Sequence, residues 1–138
     1  MGVKEFRNMN MADFTVKDIN NVDVPFVAIT GAAGDGSQAV WRVTDVSKPP
    51  LYQTTLKMKA VPTADKKARR SILEGVAYFG SVVDGVWTPS ARVPLSVEVV
   101  TPLNMSAVDA ANYATVLMRT CAAALITGSV GSGYAPNN

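Results

Sequence analysis

Apolar and polar residues alternate along most of the chain up to Pro102, and the pattern then changes to a three-to-four residue period over the last third. Phe14 to Ile19 alternates as a strand, Asn20-Asn-Val-Asp23 is turn chemistry, and Val24 to Thr30 is rich in β-branched and aromatic residues, which predicts an N-terminal hairpin. Gly31 to Ser37 reads as a flexible loop. A third strand is predicted over Gln38 to Asp45 around Trp41, and Lys48-Pro-Pro50 interrupts the chain before a fourth from Leu51 to Val61. Pro62 to Lys67 is a polar turn leading to a fifth strand from Arg69 to Phe79. A loop centred on Asp84-Gly85 and Pro89 precedes the last strand, Arg92 to Val100.

The residues that follow predict one helix from about Ala107 to Ile126 and then a Gly-rich tail. Ser106 supplies an N-cap acceptor and Asp109 an anion in the first turn, where unpaired N–H groups need both. Strands segregated from a terminal helix define an α+β layer, with the helix packed on one face of an antiparallel sheet. The helix is too apolar for that task alone. Val108, Ala111, Thr115, Met118, Ala122 and Leu125 follow helical spacing, and Tyr113, Val116, Leu117 and Ala124 widen the stripe. Small residues permit close approach, so a second copy of the chain is expected against Ala111, Thr115, Met118, Ala122 and Leu125.

Composition fits one domain over residues 1–138, with 48% hydrophobic and 17% charged residues. No apolar run approaches the ~18 residues of a membrane span, so no membrane partner is expected. Met1 to Asn10 lacks the apolar core of a signal peptide. The single cysteine, Cys121, cannot form an internal disulfide or a Cys-rich metal site, and the absence of histidine removes the usual general base and the commonest zinc ligand. Gly31-x-x-Gly34-x-Gly36 and Gly128-x-x-Gly131-x-Gly133 lack a strand-to-helix context and read as flexible loops. Asp84, Glu74 and Glu98 are scattered and read as solvated surface. No catalysis, metal or cofactor is expected.

The positive signal lies in the middle strands. Alternation places Gln53, Thr55, Lys57 and Lys59 on one face and Tyr52, Thr54, Leu56, Met58 and Ala60 on the other. In the fifth strand Arg70, Ile72, Glu74, Val76 and Tyr78 oppose the small and apolar set Ser71, Leu73, Gly75, Ala77 and Phe79, which is the expected helix side. Antiparallel pairing then brings Lys57, Lys59 and Arg70 onto one surface with Arg42 beside them, and Ser96 and Glu98 point to the wet side of the last strand. Such a face suits phosphates, with Thr55 and Ser96 as hydrogen-bonding groups.

In element order the chain resembles the coat proteins of the small single-stranded RNA bacteriophages, the leviviruses. The resemblance is carried by Gln38-Ala-Val-Trp41, Tyr52-Gln-Thr-Thr55, Val97-Glu-Val-Val-Thr-Pro102 and the Gly-Ser-Gly-Tyr134 tail. It implies a hairpin, a five-stranded antiparallel sheet and a C-terminal helical segment, in an intertwined dimer whose two sheets join. It further implies a quasi-equivalent icosahedral shell, assembled in the bacterial cytoplasm around the genome. The inner sheet face would bind a genomic RNA hairpin and repress translation, here through Thr55, Lys57, Lys59, Ser96 and Glu98. The loop from Ser81 to Ala91 would meet neighbours at the symmetry axes. Pro94 stands where the best-known members carry a base-stacking aromatic residue, and lysines favour phosphate contact over base reading. One helix is expected where many relatives have two. A cellular RNA-binding module without a shell and a small dimeric ligand-binding domain remain open alternatives.

Overall fold

The structure, a computed structural model, describes residues 11–136. The signal-peptide reading of Met1 to Asn10 lies outside the described residues. They fall into two units, a sheet unit through Pro102 and a helical unit from Leu103 onward.

The sheet unit is a six-stranded antiparallel meander in the order β1-β2-β3-β4-β5-β6. Its strands are β1 (Phe14–Lys17), β2 (Asp23–Thr30), β3 (Ala39–Arg42), β4 (Thr55–Pro62), β5 (Ala68–Val83) and β6 (Val86–Pro102). The predicted N-terminal hairpin is present, and its first strand adds to the edge of the five that follow. Asp18 closes its turn by accepting from the backbone N–H groups of Asn20 and Val22, while Asn21 takes a left-handed φ of 62°. Gly31 to Ser37 is a loop, tied down by Gly36 N–H to the Ala60 carbonyl and by an ion pair from Arg69 to Asp35.

Two expectations about strand extent are corrected. Leu51 and Tyr52 belong to a 3-10 turn, Pro50–Tyr52, rather than to the fourth strand. Ser81 to Ala91 is not an open loop. β5 and β6 continue as a paired ribbon to Val83 and Val86, closed by Asp84 and Gly85 at φ of 52° and 78°. Both central residues of such a tight turn need positive φ, which Asp-Gly supplies, and the flanking valines favour strand. Pro89 is accommodated because it pairs with Gly80 at a register shift, where the ladder is already irregular.

The helical unit holds two helices rather than one. α1 spans Ala107–Cys121, and α2 spans Ala124–Ser132, bent from it by 48°. Ser106 caps α1 as predicted, accepting from the Asp109 N–H at 3.1 Å. Hydroxyl and thiol contacts onto preceding carbonyls gather at the other end, Thr120 and Cys121 both onto Leu117, a pattern that bends helices. Ala123 then takes an extended ψ of 144° and breaks the run. Gly128 and Gly131 are therefore helical, not loop, and Gly133 ends α2 at a left-handed φ of 80°. No single helix is long and apolar enough to cross a membrane.

Among the described residues no hydrophobic side chain is buried, and the one buried polar side chain is Gln53. On the β-face carrying Phe14, Phe26 and Trp41, aromatic rings pack together. Phe14 stacks on Phe26 at 4.9 Å and meets Trp41 edge-on at 5.5 Å, and the Trp41 indole donates to the Ala12 carbonyl.

Candidate nucleic-acid interface

Directly opposed residues of an antiparallel pair share a face, so register decides which side chains meet. Arg42 opposes Thr55, Val40 opposes Lys57, and Thr55, Lys57 and Lys59 oppose Val76, Glu74 and Ile72. Ile72, Glu74 and Val76 in turn oppose Glu98, Ser96 and Pro94. All seven residues read from the sequence, Arg42, Thr55, Lys57, Lys59, Arg70, Ser96 and Glu98, thus lie on one face. The opposite face carries Trp41, Leu56, Met58, Leu73, Leu95 and Val97.

The charges of this face are not equally available. Arg70 donates from Nε to Glu98 Oε1 at 2.7 Å. That hydrogen bond, reinforced by the charge attraction, raises the Arg70 pKa and lowers that of the Glu98 carboxyl from their ordinary values. Lys17 is held by Asp23 at the hairpin. Lys57 and Lys59 make no ion pair among the described residues, and the enclosed Nε of Arg42 has no hydrogen-bond acceptor there. The face therefore offers two lysines without an ion pair on β4, an Arg42 on β3 whose Nε is closed off, and a neutralised pair toward the far end of β5 and β6.

Lys17 and Arg92, both basic and both on this face, were missed in the sequence. Arg92 opposes Tyr78 and so joins the same surface, exposed. Alternation back from Ser96 through Pro94 would have found it. Tyr52, assigned by alternation to the apolar side, instead meets Tyr78 edge-on at 5.3 Å and Trp87 at 5.3 Å, on the charged side. Pro94 also lies on this face, opposite Val76, and offers no aromatic ring for a base.

The predicted contact residues of the helix are divided by the break. Ala111, Thr115 and Met118 lie on α1, Ala122 is its C-cap, and Leu125 is on α2. All are exposed, Leu125 at 66%. Thr115 turns its hydroxyl back to the Ala111 carbonyl at 2.7 Å.

A meandering antiparallel sheet followed by two C-terminal helices is the coat-protein fold of the small levi-like RNA bacteriophages. The chain aligns over 94% of its length with all of a subunit from the virus-like particle of Beihai levi-like virus 21, at a TM-score of 0.77 and 15% identity. The virus-like particle of bacteriophage ESE058 gives the same coverages, at 0.73 and 17%. The capsid protein of bacteriophage GA gives 0.66 and 16%, over 88% of this chain and 94% of that one. No protein-family model and no curated protein matches the chain.

Proposed function

We propose that this chain is the structural coat subunit of an RNA bacteriophage, which pairs with a second copy and assembles into a closed shell enclosing RNA against the charged sheet face. The observation that carries this reading is how incomplete a single chain is. A folded domain of this size ordinarily buries a set of large apolar side chains, whereas here none is buried among the described residues. Val93, Leu95, Val116 and Leu117 are each more than half exposed, and β6, 17 residues long, ends the strand order with one edge unpaired among the described residues.

Long open edges invite pairing with another chain, and unburied apolar surface must find cover. A second copy meets both needs when the β6 strands join the two sheets and the helices of each copy cover the apolar face of the other. The opposite, charged face is then left for the genome. Lys57, Lys59, Arg42 and Arg92 neutralise phosphates, Thr55 and Ser96 donate to them, and RNA binding is chiefly electrostatic. The role is structural, and its place is the virion.

The test is expression of the chain alone in bacteria, followed by size exclusion, negative-stain microscopy and the 260/280 nm absorbance ratio. Closed particles of uniform size holding nucleic acid are expected. A dimer that carries RNA but never closes would replace the coat reading with an RNA-binding module, and a dimer without RNA would replace both with a ligand-binding domain.

A further inference from the structure

Beyond its last pairing with β4, at Thr55 and Val76, β5 keeps only β6 as a partner, and the two strands run on as a free arm to the Asp84-Gly85 turn. A two-stranded ribbon is marginal by itself in water, so the orientation of the arm depends on what touches its root. The loop between β3 and β4 supplies that contact. Lys48 Nζ donates to the Tyr78 carbonyl at 2.9 Å and stands 5.6 Å from the centre of the Trp87 ring. Tyr52 packs on Tyr78 and Trp87 together, with ring centres 5.3 Å from each.

The loop is itself stiff. Pro49 and Pro50 fix two successive φ angles, and Tyr52 N–H closes the turn onto the Pro49 carbonyl. Buried Gln53 donates from Nε2 to the Asp45 carbonyl at 3.0 Å, and Asp45 accepts from both the hydroxyl and the N–H of Ser47. On the arm, Trp87 lies over Gly80 so closely that a Cβ there would come within 2.7 Å of the ring and 2.3 Å of the Thr88 carbonyl oxygen. The hydroxyl of Ser90 donates to the Phe79 carbonyl at the register shift.

We propose that Lys48 and Tyr52 form a buttress that holds the β5–β6 arm at one preset angle by clasping Tyr78 and Trp87. The arm is then a rigid projection carrying exposed Val82, Val83 and Val86 at its end. Its stiffness stands without the coat reading. Its use, docking those valines onto a further copy of the chain at one fixed geometry, rests on it.

Peptide-resolved hydrogen–deuterium exchange on the full chain, in whatever assembly it forms, tests the buttress separately from shell formation. In Lys48→Ala the amides of Gly80 to Thr88 should exchange about five- to tenfold faster, the scale of one lost hydrogen bond and one cation–π contact, while those of β4 keep their rates. Lys48→Arg, which retains a donor and a cation, should stay near the parent. Tyr52→Leu, which removes only the ring contacts, should loosen the same amides. An arm that exchanges no faster in Lys48→Ala and Tyr52→Leu overturns the proposal. So does acceleration shared equally by β4, which would make the loop a support of the whole sheet.

Discussion

Arg70 on β5 and Glu98 on β6 are bonded diagonally across the charged face, Nε to Oε1 at 2.7 Å, so the face holds a cation that its own anion already answers. Replacing Glu98 with Gln removes a charge that repels phosphate and releases the Arg70 guanidinium. RNA affinity of Glu98→Gln should rise several-fold, and the slope of log K against log salt should steepen by about 0.7, the value of one added phosphate contact to a single strand. Filter binding across a salt series reads both. A loss of affinity would show that the carboxylate contacts RNA directly.

The same pair has a pH signature. The hydrogen bond from Arg70 holds the Glu98 carboxyl below its ordinary pKa. Its contribution to stability is therefore complete above the ordinary carboxylate value and is lost as pH falls through the lowered one. Between pH 6 and 8 the pair stays ionised, and RNA affinity should not change on its account. On the acid side, protonation of Glu98 frees Arg70 and should strengthen binding, and that part of the rise should be missing in Glu98→Gln when the two titrations are compared.

Lys57 and Lys59 present the complementary case, cations with no ion-pair partner among the described residues. Changing both to Ala should weaken RNA binding and flatten the salt slope by about 1.4, two contacts at about 0.7 each, while the oligomeric state is unchanged. Titration of the double variant, with light scattering as the control, checks this. An unaltered slope would remove β4 from the RNA surface.

Alternation was enough to place all of these groups, because a strand period of two leaves no choice once one face is apolar and register is antiparallel. The sequence was less informative where structure depends on contacts distant along the chain. Tyr52 reads as a strand residue until the Pro49-Pro50 turn swings it onto Tyr78 and Trp87. The ribbon through Val83 and Val86 was obscured by Pro89 and Gly80, which look like loop residues singly but face each other at one irregular step of the ladder. The break after Cys121 falls in an Ala-Ala-Ala run, where propensity argues for an unbroken helix.

Two glycines of β5 separate close approach from ordinary packing. A Cβ at Gly75 would meet Leu56 and Leu95 at 3.5 and 3.6 Å, normal contact distances, whereas at Gly80 it would collide with the Thr88 carbonyl and the Trp87 ring. Gly80→Ala should destabilise the protein by about 1–3 kcal/mol, as overpacking does, and Gly75→Ala should be close to neutral. Urea denaturation at matched protein concentration distinguishes them, since association contributes to apparent stability. Equal midpoints for the two would mean that the arm shifts to admit the methyl without cost.

The helical unit carries the last prediction. On α1, Ala111 and Met118 are exposed in the single chain, beside Val116 and Leu117 at 55% and 62% exposure. In the proposed dimer these positions are enclosed by the second copy. A carboxylate at Met118 has solvent in the monomer but no partner once enclosed, and an unpaired buried charge costs several kcal/mol. Met118→Asp should therefore shift the mass in light scattering from the assembled parent toward single chains, and Ala111→Asp should do the same. Retention of the parent assembly by both variants would place the subunit contact on another surface, with the open edge of β6 the next to be tested.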